Sequence, residues 1–131
     1  PVFLLDGAHN PSGVRTLCRA LKKYFSRRRL ILIFAVLSDK DYRAMLKKIA
    51  PLAAVTILPP LKTARAVPAQ QLAREMKEMG FKAVAAKTVD EAIHTALGMA
   101  QESDVICALG SLYLAGEVKQ SFHQMNSCGK A

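Results

Sequence analysis

An acid and an imidazole stand close together in Asp6-Gly7-Ala8-His9-Asn10-Pro11, directly after the apolar run Val2-Phe3-Leu4-Leu5. Asp6 and His9 therefore stand at a strand end, where ligands of open α/β sheets bind. Farther along, Gly110-Ser111 opens a helical pattern, and a hydroxyl beside the free N–H groups of a helix start makes an anion site. Lys40, within Asp39-Lys40-Asp41, and Arg65 add two loop cations able to reach a phosphate or carboxylate. Each residue also has a purely structural use. Asp6 can brace its own turn, His9 can bond to backbone, and Ser111 and Asp41 can cap the helices that follow them.

The elements that must position these residues alternate along the chain. Val2 to Leu5, Leu30 to Val36, Ala54 to Leu58, Lys82 to Ala86 and Val105 to Leu109 read as strands, mostly without polar alternation, as expected when both sheet faces are covered. Between them run helical spacings: Val14, Leu17, Cys18, Leu21 and Phe25; Tyr42, Met45, Leu46 and Ile49; Leu72, Ala73, Met76 and Met79, ended by Gly80; and Val89, Ala92, Ile93, Ala96 and Leu97. A fifth helix starts near Ser111 and carries Leu112, Ala115, Val118 and Phe122. Asn10 reads as an N-cap with Pro11 at the first helical position. Such alternation predicts a doubly wound, mainly parallel sheet in which the first, second and fifth strand ends deliver their loops to one edge. Ligands of open α/β sheets bind at that carboxyl edge.

Three segments together carry a family resemblance. Leu5-Asp6-Gly7-Ala8-His9-Asn10-Pro11, Val36-Leu37-Ser38-Asp39-Lys40-Asp41 and Gly110-Ser111-Leu112-Tyr113-Leu114-Ala115-Gly116-Glu117-Val118 resemble the signature segments of the C-terminal domain of folylpolyglutamate synthase/dihydrofolate synthase, of the Mur ligase superfamily. The likeness runs from about Phe3 to about Phe122, in the family's order. It implies a three-layer α/β, Rossmann-like domain over residues 1–123; Gln124 to Ala131 has little periodicity and reads as a flexible tail over 124–131. It also implies roles: Asp6 contacting the nucleotide, His9 handling the incoming glutamate as the catalytic candidate, and Ser111 in the glutamate site, with Lys40 and Arg65 as secondary candidates. The activity implied is ATP-dependent ligation of L-glutamate to a folate or dihydropteroate carboxylate through an acyl phosphate. ATP and Mg2+ are the implied cofactors, with the metal ligands in an N-terminal ATPase domain that would be this domain's partner, in a monomer.

Composition narrows the classes. With 51% hydrophobic residues, 131 residues make one globular domain with a core of its own, and Pro1 just ahead of a strand suggests a piece of a longer protein. The longest apolar stretch, Leu30 to Leu37, is strand-sized, so no membrane span is expected. Cys18, Cys107 and Cys128 are odd in number and lack metal spacing, which favours a reduced, cytoplasmic setting with the first two in the core. The net charge of +9 favours anionic partners. No aromatic RNA-binding motif, Cys/His finger or KH-type loop accompanies it, so nucleic acid is not an expected partner. Lys22-Lys23 and Arg27-Arg28-Arg29 sit where cations offset a helix dipole. His94 and His123 read as solvent-facing and inert.

Missing motifs count as well. The chain has no GxxxxGK[ST] loop for a triphosphate, no GxSxG elbow for a hydrolase triad and no GxGxxG fingerprint. Two alternatives stay open: another Mur-type ligase, whose Asp-Asn-Pro-Arg type motif Asp6-Gly7-Ala8-His9-Asn10-Pro11 departs from, and a stand-alone module binding a nucleotide or acidic ligand.

Overall fold

A computed structural model describes residues 1–129, with side chains through residue 126. Its strands are β1 (Val2–Leu5), β2 (Leu30–Phe34), β3 (Val55–Leu58), β4 (Ala83–Ala85) and β5 (Val105–Leu109). Its helices are α1 (Pro11–Phe25), α2 (Tyr42–Ile49), α3 (Ala69–Glu78), α4 (Val89–Met99) and α5 (Leu112–Gly129), with a single 3-10 turn at Ala50–Leu52. All strand pairs are parallel, in the order β1-β5-β2-β3-β4. The expected α/β class and parallel sheet are therefore present.

The central strands are apolar on both faces because both faces are covered. Along β2, Leu30, Leu32 and Phe34 enter one core layer, with Val14, Leu17 and Leu21 of α1, Met45 and Ile49 of α2, and Leu72 and Met76 of α3. Ile31 and Ile33 enter the other, with Ala92 and Ile93 of α4 and Leu114 and Val118 of α5. The strand period of two thus assigns alternate residues to alternate layers. Each fully buried Leu, Ile or Phe contributes about 1.5–3 kcal/mol of transfer free energy.

Helix starts follow the capping chemistry. Asn10 Oδ1 accepts from Gly13 N at 2.7 Å, Asp41 Oδ1 from Ala44 N at 3.4 Å and Thr88 Oγ1 from Glu91 N at 3.0 Å. Gly80, at φ +85, follows α3 and closes it. At the amino edge, Arg29 Nε and Nη2 donate to Asp104 Oδ2 at 3.0 and 2.7 Å, joining the entry to β2 to the entry to β5.

Several expected boundaries shift. β2 ends at Phe34 rather than Val36, β3 starts at Val55, and β4 is confined to Ala83–Ala85. The expected tail from Gln124 is helical as far as Gly129, because Val118, Phe122 and Met125 continue the apolar stripe of α5 onto its core layer. The Phe122 ring meets Phe3 of β1 edge-on at 4.8 Å. Lys130 and Ala131 lie outside the described residues. The core face of α5 is also rotated from expectation: Leu114 is buried, whereas Leu112 is 66% exposed.

Candidate functional site at the carboxyl edge

β5 lies between β1 and β2, yet α1 and α2 cover one face of the sheet and α5 the other. The chain therefore leaves neighbouring strand ends toward opposite layers, and a crevice opens at the end of β5. The loops after β1, β5 and β2 meet there, and they are the three segments singled out by sequence.

The last β1 rung is Asp6 N to Ala108 O at 3.0 Å. Asp6 Oδ1 then accepts from Ala8 N at 2.8 Å, so the carboxylate braces its own turn, as its structural use predicts. Among the described residues no bond engages Oδ2, and the half-buried carboxylate keeps an accepting oxygen for a hydroxyl donor. His9 Nδ1 donates to the Gly7 carbonyl at 2.9 Å. A carbonyl can only accept, so that bond places a proton on Nδ1 and leaves Nε2 to address a ligand. Both side chains border an open groove of about 370 Å³ that continues along α1 past Gly13, Thr16 and Ala20.

Gly110 welds the three loops together. Its N–H donates to Ala8 O at 2.9 Å, and its φ is +113. A Cβ there would stand 2.3 Å from Ala35 O and 3.0 Å from a Phe34 ring carbon, so only glycine lets the β5 loop pass this close to the end of β2. Ser111 caps α5, its Oγ accepting from Tyr113 N at 3.0 Å. Ser111 is 3% exposed, and accepting that bond leaves its O–H able to donate.

Lys40 and Arg65 come together on a neighbouring rim. Ser38 N donates to Arg65 O at 2.8 Å, Val67 N to Val36 O at 2.9 Å, and Leu37 bridges Ala66 antiparallel. Arg65 Nη2 stands 3.8 Å from Asp39 Oδ2, an exposed pair of little energetic consequence. Lys40 is half-buried beside that pair in sequence, its N–H donating to Leu37 O at 3.2 Å.

The sequence reading missed an apolar component. Leu112 and Tyr113, 66% and 50% exposed, open α5 beside the crevice, and the Leu112 Cδ2 lies 3.3 Å from where a Gly7 Cβ would stand. The signal was available, because the stripe Leu114, Val118, Met125 turns these two residues outward. Cys107 lies one strand in from Asp6. Burial, with a smaller push from the Asp6 charge, drives its thiol up to about 12, so it stays neutral and structural. His94 and His123 are exposed, and His94 Nδ1 bonds to Asp90 O at 2.8 Å. Among the described residues, no group of three or more His, Cys, Asp or Glu could hold a metal ion, so the residues present do not fit a metal site of their own.

Known proteins share this fold and sequence. The family "Mur ligase, glutamate ligase domain" matches residues 1–112. A folylpolyglutamate synthase of Lacticaseibacillus casei is 36% identical over 126 residues, covering 92% of this chain and 27% of that protein. A folylpolyglutamate synthase from Mycobacterium tuberculosis, complexed with ADP, superposes with a TM-score of 0.86 at 26% identity, over 93% of this chain and 30% of that one. A bifunctional folylpolyglutamate synthase/dihydrofolate synthase with Mn, AMPPNP and L-glutamate bound gives 0.85 at 28% identity, over 94% and 29%. The chain thus spans under a third of the length of these relatives. By its fold and by the match over residues 1–112, the chain belongs to the Mur ligase glutamate ligase domain family.

Proposed function

We propose that this chain holds L-glutamate in an ATP-dependent ligase that joins it to the carboxylate of a folate or dihydropteroate. The carrying observation is the convergence of the loops after β1, β5 and β2 on one crevice, welded at Gly110. The names of the relatives support the reaction class, and L-glutamate in one of their structures supports the substrate. His9, doubly protonated with Nδ1–H on the Gly7 carbonyl, donates from Nε2–H to a glutamate carboxylate. The start of α5, shaped by the Ser111 cap, offers backbone N–H groups to the same anion. Asp6 accepts from a ribose hydroxyl, and Lys40 and Arg65 are rim cations for a phosphate or carboxylate.

A nucleotide fits this chain only at its ribose end, because no triphosphate loop occurs in the sequence. The phosphates and the divalent metal, Mg2+ in this proposal, then belong to a partner ATPase domain of the same protein, which acts as a monomer. ATP supplies the phosphoryl group that activates the acceptor carboxylate. This chain contributes position: it orients the glutamate amine and shields the activated acyl group from water. Exposed Leu112 and Tyr113 at the crevice rim give the closing surface its apolar contact. Among the described residues no helix is long and apolar enough to cross a membrane, and free buried thiols at Cys18 and Cys107 suit the cytoplasm.

Backbone amide NMR of the chain titrated with L-glutamate tests the substrate assignment. The amides of residues 7–9 and 111–113 are expected to shift together, with D-glutamate weaker. Shifts confined to residues away from the three loops would reject it.

A further inference from the structure

We propose that the outward face of α1 is a binding track for the γ-linked glutamyl tail of an already elongated substrate. The proposal rests on the ligase reading and adds a site that neither fold nor family assigns. No Asp or Glu occurs between Asp6 and Asp39, whereas Arg15, Arg19, Lys22, Lys23 and Arg27 all stand exposed. None of the five pairs with a carboxylate within 4.0 Å among the described residues; the ion pairs there join Arg29–Asp104, Arg43–Glu75 and Arg65–Asp39. Arg15 and Arg19 precede the last turn, so compensation of the helix dipole does not account for them. Arg15 with Arg19, and Arg19 with Lys23, are like charges one turn apart, an arrangement that destabilises a helix unless an anion lies across it. On the opposite layer the balance reverses: α4 and α5 carry Asp90, Glu91 and Glu117 against Lys119.

Geometry connects this face to the crevice. The groove that begins at Asp6 and His9 runs along α1 past Thr16 and Ala20. Arg19 and Lys23, three residues beyond each, form the next row outward. Tyr24, 66% exposed, stands at the far end with Lys23 Nζ 5.3 Å from its ring centroid. Arg19 and Lys23 are one turn apart, about 6 Å along the axis. A γ-linked glutamyl repeat has five backbone bonds where an α-linked one has three, and so spans roughly 6 Å against about 3.5 Å. One α-carboxylate per turn of α1 is the match that selects a γ-glutamyl chain among polyanions.

Fluorescence anisotropy with labelled γ-linked di- and hexaglutamate tests the track on the 131-residue chain at low ionic strength. The hexamer is expected to bind about tenfold tighter than the dimer, and Arg19→Gln/Lys23→Gln to weaken it about fivefold, while Lys119→Gln leaves it unchanged. Equal binding of dimer and hexamer, or insensitivity to the double substitution, would overturn the proposal. So would equal affinity for α-linked hexaglutamate or a hexanucleotide, which would mark a general polyanion surface. Failure of the ligase reading shows separately, as absence of glutamate transfer to a monoglutamyl acceptor when the chain replaces its counterpart in a relative.

Discussion

The Gly110 N–H donates to the Ala8 carbonyl at 2.9 Å, so the loop leaving the interior strand β5 is bonded to the loop leaving the edge strand β1. This one bond sets the distance between the Asp6–His9 turn and the start of α5. The positive φ of Gly110 and its approach to Ala35 O make it possible.

Gly110→Ala must therefore either move the β2 end or abandon the bond. A loss of about 2–3 kcal/mol in unfolding free energy is expected, from the left-handed backbone and the overlap with a carbonyl oxygen. Urea denaturation measures it, and a loss under about 0.5 kcal/mol would show that the loops are not held this way. Gly98, with nothing within 4 Å of an added Cβ, provides the control substitution.

Stability should decline in acid through Asp104. Its carboxyl is held below the ordinary range chiefly by the hydrogen bond from Arg29, with a further bond from Gln101 N. A depressed carboxyl stabilises the fold above its unfolded value, near 3.9, and that contribution is lost as pH falls through the lower folded value. Asp104→Asn should be less stable than wild type at pH 7, with the difference narrowing below about pH 4. Urea midpoints from pH 7 to pH 2.5 would record it; a difference independent of pH would contradict the assignment.

Cys107 should resist thiol reagents in the native state. With its thiol pushed up to about 12, only about one molecule in ten thousand is ionised at pH 8. Labelling followed by peptide mass spectrometry should occur at the rate of unfolding, and rapid native labelling of Cys107 would refute its burial beside Leu4 and Leu32.

Much of this was legible in the chain because local chemistry decides it. The bounds of β1 and β5, the caps Asn10, Asp41 and Ser111, and the stop at Gly80 each follow from a few neighbouring residues. Strand order does not. That β5 inserts between β1 and β2 depends on pairings such as Leu5 with Ala108 and Phe34 with Leu109, which no local pattern encodes. The pairing of Leu37 with Ala66, which sets Arg65 against Asp39, is hidden for the same reason. Reading Leu112 as core failed on helical phase: Ala115 and Val118 fit two neighbouring stripes, and the stripe through Leu114 packs better on β5. Past Phe122 the polar neighbours Gln124 and Asn126 hide the contact that Met125 makes with the core layer.

The two residues of the first loop should separate kinetically in a catalytic setting. His9→Ala should raise the KM for glutamate by roughly 10- to 150-fold, the loss of a charge-assisted hydrogen bond of about 1.5–3 kcal/mol. Asp6→Ala should instead weaken nucleotide-dependent steps. Variants that alter only the apparent affinity for the folate would reverse the assignment.

The most direct measurement replaces the corresponding domain of the Lacticaseibacillus casei folylpolyglutamate synthase with this chain and follows radiolabelled L-glutamate entering a folate in the presence of ATP and Mg2+. The hybrid should incorporate glutamate, His9→Ala should suppress incorporation at low glutamate and recover at high glutamate, and the 131-residue chain alone should incorporate none. A folded hybrid that binds nucleotide and folate yet transfers no glutamate would contradict the account, as would turnover by the isolated chain.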